Sequence, residues 1–290
     1  MSAGAAARWP APAKLNLFLH VTGRRADGYH ELQTLFQLID LCDELTFTPL
    51  PGGRIERGHG AAGVAPEADL VVRAALALKQ ATGSDGGVRI EVRKHIPMGG
   101  GLGGGSSDAA TTLLALNQLW DLKLSVAELA AIGLPLGADV PVFVEGSSAW
   151  AEGVGERLTP VTLPEAWYVL IHPRVHVSTA GVFQSPELTR NSPLITIRAF
   201  FDSGGRNDCE PVVRRHYPEV AEALDWLSRR APAHLTGTGA CVFAACPDAI
   251  TADRLAAHVP ERWTSYVARG LNTSPVHGLL AAQAAGPMRL

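Results

Sequence analysis

The chain has little charge, and what it has is nearly balanced. Charged residues make up 18% of its 290 positions, and 25 Lys and Arg against 28 Asp and Glu leave a formal net charge of -3. No basic excess marks a nucleic-acid surface, so no nucleic-acid partner is expected. No apolar run is long enough to span a bilayer, so no membrane partner is expected either. Cysteine is scarce. Cys42, Cys209, Cys241 and Cys246 form no C-x-x-C pair, which argues against zinc. Buried, reduced thiols in a cytoplasmic protein are the expectation. The start is alanine-rich but carries Arg8, Pro10, Pro12 and Lys14, which makes a poor signal peptide.

Three other things are missing from the neighbourhood of the densest glycine run. Residues 97 to 108 read Pro97-Met98-Gly99-Gly100-Gly101-Leu102-Gly103-Gly104-Gly105-Ser106-Ser107-Asp108. No lysine follows the glycines, so this is no Walker A loop. No acid closes a second strand about twenty residues on, so a nicotinamide dinucleotide fold is disfavoured. H-R-D and D-F-G are absent, which removes the protein kinases.

What remains is a run of bare amides between a strand and a helix. Val88, Ile90 and Val92 alternate with Arg89, Glu91 and Arg93, the pattern of a half-buried strand. After the run, Ala109, Leu113, Leu116 and Trp120 recur at helical spacing. Glycine lets the backbone approach a ligand closely, and the amides opening a helix lack partners of their own. Such a loop suits an anion, and the phosphates of a nucleotide are its natural guest. Ser106 and Ser107 either reach a phosphate oxygen or Mg²⁺, or cap the helix.

Upstream, Leu15, Leu17, Leu19 and Val21 alternate with Lys14, Asn16, Phe18 and His20, predicting a strand with Lys14 and Asn16 on one face. Periodicity alone reads that face as solvated. Asp27-Gly28 marks a turn, with Tyr29 and His30 at its exit. Positions 49 to 66 are rich in Gly and Pro and read as a loop or hairpin tip, and Leu70 to Leu78 as a helix. Ser125 and Glu128 have the capping-box spacing for another. Asp139 stands before Val140-Pro141, near a helix entrance, where as pure structure it is a cap. Beyond about residue 155 strands and helices alternate: Trp167 to His172, Val220 to Leu227, Ala240 to Ala245, Ala252 to Val259, Ser265 to Ala268. They imply a second α/β layer.

The run from Pro97 to Ser107 resembles the phosphate loop of the GHMP kinases. The resemblance continues through Pro12-Ala13-Lys14-Leu15-Asn16-Leu17, Arg25-Ala26-Asp27-Gly28-Tyr29-His30, Leu136-Gly137-Ala138-Asp139-Val140-Pro141, Ala151-Glu152-Gly153-Val154-Gly155-Glu156, Asn207-Asp208 and Leu235-Thr236-Gly237-Thr238-Gly239-Ala240-Cys241. These blocks cover nearly the whole chain in order.

The resemblance implies an α+β, two-domain fold with the active site in the cleft between the domains. Residues 1–155 would form the N-terminal, ATP-binding domain of the ribosomal-protein-S5-like type. Residues 156–290 would form a ferredoxin-like C-terminal domain. It further implies a kinase that uses ATP, with Mg²⁺ delivered on the nucleotide, and phosphorylates the 2-hydroxyl of a cytidine diphosphate-linked methylerythritol in the non-mevalonate isoprenoid pathway. Lys14 and Asp139 match the catalytic pair, and Pro97, Met98, Gly99, Gly100, Gly101, Leu102, Gly103, Gly104, Gly105, Ser106 and Ser107 the ATP-binding loop. Tyr29 and Phe183 match residues that sandwich cytosine, His30 one that reads its polar edge, and Asn16 a contact near the reacting end. Gly237-Thr238-Gly239 is expected to border the cleft. Asp69 departs from the family, which commonly has an adenine-side asparagine there. Another small alcohol as acceptor, or a sensor on the same fold, are the rival readings; a sensor should lack the lysine or the aspartate.

Overall fold

A computed structural model describes residues 7–61 and 63–284. The architecture is organised around one long strand. β1 (Trp9–Arg24) folds back as β2 (His30–Leu50), and the two pair antiparallel along most of their length. β3 (Ile55–Arg57) lies inside the stretch whose glycines and prolines suggest a loop or hairpin tip; three residues are too few for periodicity to register. α1 (Leu70–Thr82) follows, capped by Asp69 accepting from the Val71 amide and ended by Gly83 at φ 70°. β4 (Gly87–Arg93) pairs with both β2 and β3, and its buried and exposed residues alternate as its sequence predicts.

The glycine run leads into α2 (Gly104–Leu119), then α3 (Val126–Gly133), which carries the full capping box of Ser125 and Glu128. α4 (Val140–Glu145) has Pro141 in its first turn and stops at Gly146. β5 (Ala149–Gly153) pairs with β2 and with β6 (Arg157–Pro160). α2 is central: it is buried continuously from Ser107 to Leu116, more than one face. Its Ala, Thr and Leu side chains pack against α1, α4 and β1, where a single amphipathic stripe would have served a surface helix.

The second half contains β7 (Trp167–His172), α5 (Thr179–Gln184), α6 (Ile197–Ser203), α7 (Glu210–His216), α8 (Pro218–Ser228), β8 (Ala233–Leu235), β9 (Val242–Cys246), α9 (Ala249–Ala256), β10 (Thr264–Leu271) and α10 (Pro275–Ala284). The strand order β10-β7-β9-β8 is antiparallel throughout. Its helical side encloses its own core around Val169, Ile171, Leu224, Leu227 and Val242. β10 joins β2 through two residue pairs, Gly270 with Ile39 and Leu271 with Leu38, so the described strands form one ten-stranded sheet.

β1 departs from its sequence pattern in a way that matters for the site. Both its faces are covered, and the register slips between Asn16 and Leu19. Phe18 packs with Leu35, Trp150 and Leu163 under α6, while Lys14 and Asn16 are sealed beneath the glycine loop. The expectation of a solvated face fails because two separate structures, α6 and the loop, close over it. All four cysteines are free thiols, three of them buried, and burial pushes Cys209 up to about 12.

Candidate active site

The glycine loop is seated by its carbonyls. Leu102 O accepts from the Lys14 amide at 3.0 Å, Gly99 O from Ala240 N at 3.0 Å, and Gly100 O from Cys241 N at 3.1 Å. Gly101 O accepts from the Lys14 ammonium at 3.1 Å. With those carbonyls drawn into the protein, the amides of Gly104, Gly105 and Ser106 open α2 as the orphan donors of its first turn. Close approach explains the glycine at position 101. Its φ is +72°, and a Cβ there would stand 2.3 Å from Thr236 O. The second glycine loop, Thr236 to Gly239, is therefore the bed on which the first one lies. Asn16 N donates to Thr236 Oγ1 at 3.0 Å and fixes that bed to β1.

Lys14 and Asp139 meet. The ammonium stands 3.3 Å from Asp139 Oδ2, with side-chain exposures of 4% and 32%. Lys14 also donates to Asn16 Oδ1 at 2.6 Å and sits over the Phe36 ring. Asn16 is itself held, donating from Nδ2 to Thr34 Oγ1 at 2.9 Å. Asp139 occupies the N-cap position of α4, yet its side chain makes no capping bond. The capping role that sequence alone favours is not the one adopted: the carboxylate turns to the lysine and the cleft.

Ser106 and Ser107 do not cap α2 either; Gly103 holds the N-cap position, and both serines lie within the first turns. Ser107 Oγ is sealed in the interior without a hydrogen bond. Ser106 is half-buried at the mouth, beside Gly137.

Two pockets adjoin the glycine loop and the Tyr29 turn. The smaller, about 290 Å³, is lined by Pro97, Met98, Gly99, Gly104, Gly105, Asp69, Lys94 and Asp108. The larger, about 660 Å³, is lined by Tyr29, His30, Phe183, Thr179, Ala138 and neighbours. Ala138, which lines the larger, precedes Asp139, and Gly103, whose neighbour Gly104 lines the smaller, backs onto the Lys14 stem, so the ion pair adjoins residues of both. Tyr29 is 63% exposed at the rim of the larger pocket. Phe183 is half-buried and stacked on His30, with ring centroids 5.1 Å apart. The sequence candidates Tyr29, His30 and Phe183 thus share one pocket, and Lys14, Asn16 and Asp139 one cluster.

Several residues of the two pockets carry no motif that singles them out. Lys94, just past β4, bridges Asp43 and Asp108 as a buried triad beside the loop. Burial lowers the Lys94 ammonium, but the two carboxylates outweigh it and raise it overall. Burial raises the Asp108 carboxyl to about 7 against the pull of Lys94. Arg57 holds Asp69 at 2.7 Å. Asp69 therefore presents a carboxylate already paired, in place of the asparagine that the resemblance leads one to expect. Arg190 donates from Nε to His30 Nε2 at 3.1 Å. These contacts join residues from 12 to 160 positions apart, beyond the reach of helix or strand periodicity, which is why no local pattern announces them.

The family models "GHMP kinases N terminal domain" and "GHMP kinases C terminal" match residues 69–147 and 187–265. The 4-diphosphocytidyl-2-C-methyl-D-erythritol kinase of Nitrosococcus oceani is 58% identical over 92% of this chain and 95% of its own length. The chain belongs to the 4-diphosphocytidyl-2-C-methyl-D-erythritol kinase family of the GHMP kinases. The Chromohalobacter salexigens member is 56% identical over 93% of both chains. A crystal structure of 4-(cytidine 5'-diphospho)-2C-methyl-D-erythritol kinase superposes with a TM-score of 0.80 at 36% identity, covering 91% of this chain and 99% of that one. The homoserine kinase of Cytophaga hutchinsonii, at 20% identity and a TM-score of 0.69, shares the fold. Among the described residues no helix is long and apolar enough to cross a membrane.

Proposed function

We propose that this kinase transfers the γ-phosphoryl group of ATP to the 2-hydroxyl of 4-diphosphocytidyl-2-C-methyl-D-erythritol, as the names of its relatives imply. The observation that carries the chemistry is the Lys14–Asp139 pair at 3.3 Å, next in the chain or in space to residues of a loop-lined pocket and of an aromatic one. Phosphoryl transfer asks a protein mainly to align the attacking oxygen and neutralise charge. The smaller pocket takes the nucleotide, with its phosphates on the amides that open α2. The larger takes the cytidine end between Tyr29 and Phe183, with His30 on the base edge. The substrate then bridges from Tyr29 past Ala138 to the ion pair.

At the centre, a carboxylate is a far weaker base than an alkoxide, so Asp139 accepts the hydroxyl proton late, as the new O–P bond forms and the bond to the leaving ADP breaks. Lys14 stabilises negative charge on the attacking oxygen. It can do so because Asn16 and Gly101 O fix its ammonium in a nearly sealed position. Asn16 thereby also lies at the reacting end of the substrate.

Magnesium fits this site as a companion of the nucleotide. Among the described residues no group of three or more His, Cys, Asp or Glu could hold a metal ion alone. Magnesium commonly keeps several waters and takes one or two protein oxygens plus phosphates. The Ser106 hydroxyl, at the helix mouth and outside any cap, would be such an oxygen; Ser107, sealed inside, would not. Bound there, the ion would offset charge on the β- and γ-phosphates.

We assign residues 1–155 to nucleotide binding and 156–290 to closing the cleft, and place the enzyme in the cytoplasm, where its free thiols are stable. A sensor would have no use for an aligned Lys14 and Asp139, and another small alcohol none for an aromatic pocket of this size. The test is ATP turnover with the cytidine diphosphate-linked alcohol and with the same alcohol lacking its cytidylyl group. Turnover restricted to the first is expected; equal turnover of both overturns the substrate assignment.

A further inference from the structure

The bond between Arg190 and His30 has a chemical consequence. Arg190 makes four hydrogen bonds beside the aromatic pocket, two of them to residues that line it: Nε to His30 Nε2 at 3.1 Å, one terminal nitrogen to Leu188 O, the other to Phe183 O and Ser185 O at 2.9 and 2.7 Å. Two of those carbonyls lie at the end of α5, where orphan acceptors favour a cation. The guanidinium is thus held from one side by the helix that carries Phe183, and from the other it reaches the strand that begins with His30. A guanidinium has five N–H groups and no acceptor. Nε2 of His30 must therefore offer its lone pair, and a neutral imidazole in that state carries its proton on Nδ1. Protonation of Nε2 would set one N–H against another. Burial, then the positive charges of Arg190 and Arg24, lower the His30 imidazole and keep it neutral. Phe183, stacked at 27° between planes, fixes the ring's orientation. Among the described residues no protein atom bonds Nδ1, and His30 lines the pocket.

We propose that Arg190 is a positioning residue that locks His30 as the neutral Nδ1–H tautomer, and that this single donor selects a pyrimidine with a lone pair at N3 over one with an N3–H. Cytosine has the lone pair; uracil has the N–H. The tautomer follows from the hydrogen bond alone. The selection rests on the proposed substrate, a cytidine diphosphate handle in this pocket.

Two measurements test the two halves separately. Imidazole ¹⁵N–¹H correlation spectra of the wild-type chain, with His30 assigned by the signal lost in His30→Gln, report the tautomer directly. A protonated Nδ1 and a bare Nε2 are expected, and in Arg190→Met the population shifts toward protonated Nε2. Protonated Nε2 in the wild type overturns the lock, even if the cytidine-linked substrate is turned over. Steady-state kinetics then compare cytidine- and uridine-linked substrates. Arg190→Met is expected to narrow the preference about tenfold or more through KM, with kcat within about threefold, because the penalty for an unpaired buried polar group disappears. Arg190→Lys, which restores one donor to Nε2, is expected to recover part of it. An unchanged preference in Arg190→Met overturns the selection. A wild type that shows the tautomer yet ignores the cytidine-linked alcohol overturns the substrate assignment and leaves the tautomer standing.

Discussion

Asn16 and Lys14 point the same way from one strand, and the amide oxygen of the first takes a 2.6 Å hydrogen bond from the ammonium of the second. That contact sets where the positive charge stands. The ammonium has three N–H groups, and Asn16 Oδ1, Gly101 O and Asp139 Oδ2 surround it. Removing Asn16 frees the lysine to move within the site. Asn16→Ala is expected to lower kcat about tenfold or more while leaving KM for ATP nearly unchanged. Steady-state kinetics check this, and an unchanged kcat would show that Asn16 does not position Lys14.

The loop's conformation depends on the absence of a single methyl. Gly101 sits at φ +72° with Thr236 O and Gly239 O where its Cβ would be. Gly101→Ala must shift one glycine loop off the other, a strain worth about 1–3 kcal/mol. The expected result is a lower melting temperature together with a raised KM for ATP, read by thermal unfolding and kinetics. A variant with both unchanged would mean the two loops are not packed as described.

The buried triad beside the loop gives a pH signature. Folding raises the Asp108 carboxyl from its ordinary value near 4 to about 7, chiefly by burial. Between those two values the folded chain binds more protons than the unfolded one, so this group's contribution to stability falls as pH rises through that window and is level above it. Asp108→Asn carries no such proton. The stability of the wild type relative to Asp108→Asn should therefore decline from about pH 4 to pH 7. Unfolding midpoints of both proteins across that range check it, and a parallel pair of curves would contradict it.

Stacking on a base by an aromatic side chain is worth about 1–3 kcal/mol. Tyr29 is exposed at the rim and packs against little else, so Tyr29→Ala should leave the melting temperature unchanged. KM for the cytidine-linked substrate should rise about five- to 150-fold, with KM for ATP unchanged. Equal effects on both Michaelis constants would remove Tyr29 from the cytidine pocket.

What was legible in the sequence was what depends on neighbours along the chain. The alternation of Val88, Ile90 and Val92, the Ser125 capping box and the strand-loop-helix setting of the glycines all appear where their patterns put them. The family resemblance supplied Lys14 and Asp139 as a pair; no local rule could have joined two residues brought together by strand β1 and the turn before α4. What was not legible was whatever depends on the far side of a residue. The short strand β3 exists because β4 lies beside it. The covered face of β1 depends on α6 and on the glycine loop, and the pairings of Arg57, Lys94 and Arg190 on partners 12, 51 and 160 residues away. Asp139 shows the difference sharply. Its local sequence is that of a cap, and only the position of Lys14 explains why it is not one.

The central claim is that Asp139 takes the proton from the attacking hydroxyl with Lys14 beside it. Single-turnover phosphoryl transfer by Asp139→Asn tests it most directly, because this substitution keeps the shape and leaves Lys14 with Asn16 and Gly101 as partners. General-base help is worth about 10²–10⁴-fold, so transfer should slow by at least a hundredfold while ATP binding and the melting temperature stay near wild type. Transfer at close to the wild-type rate would contradict the account.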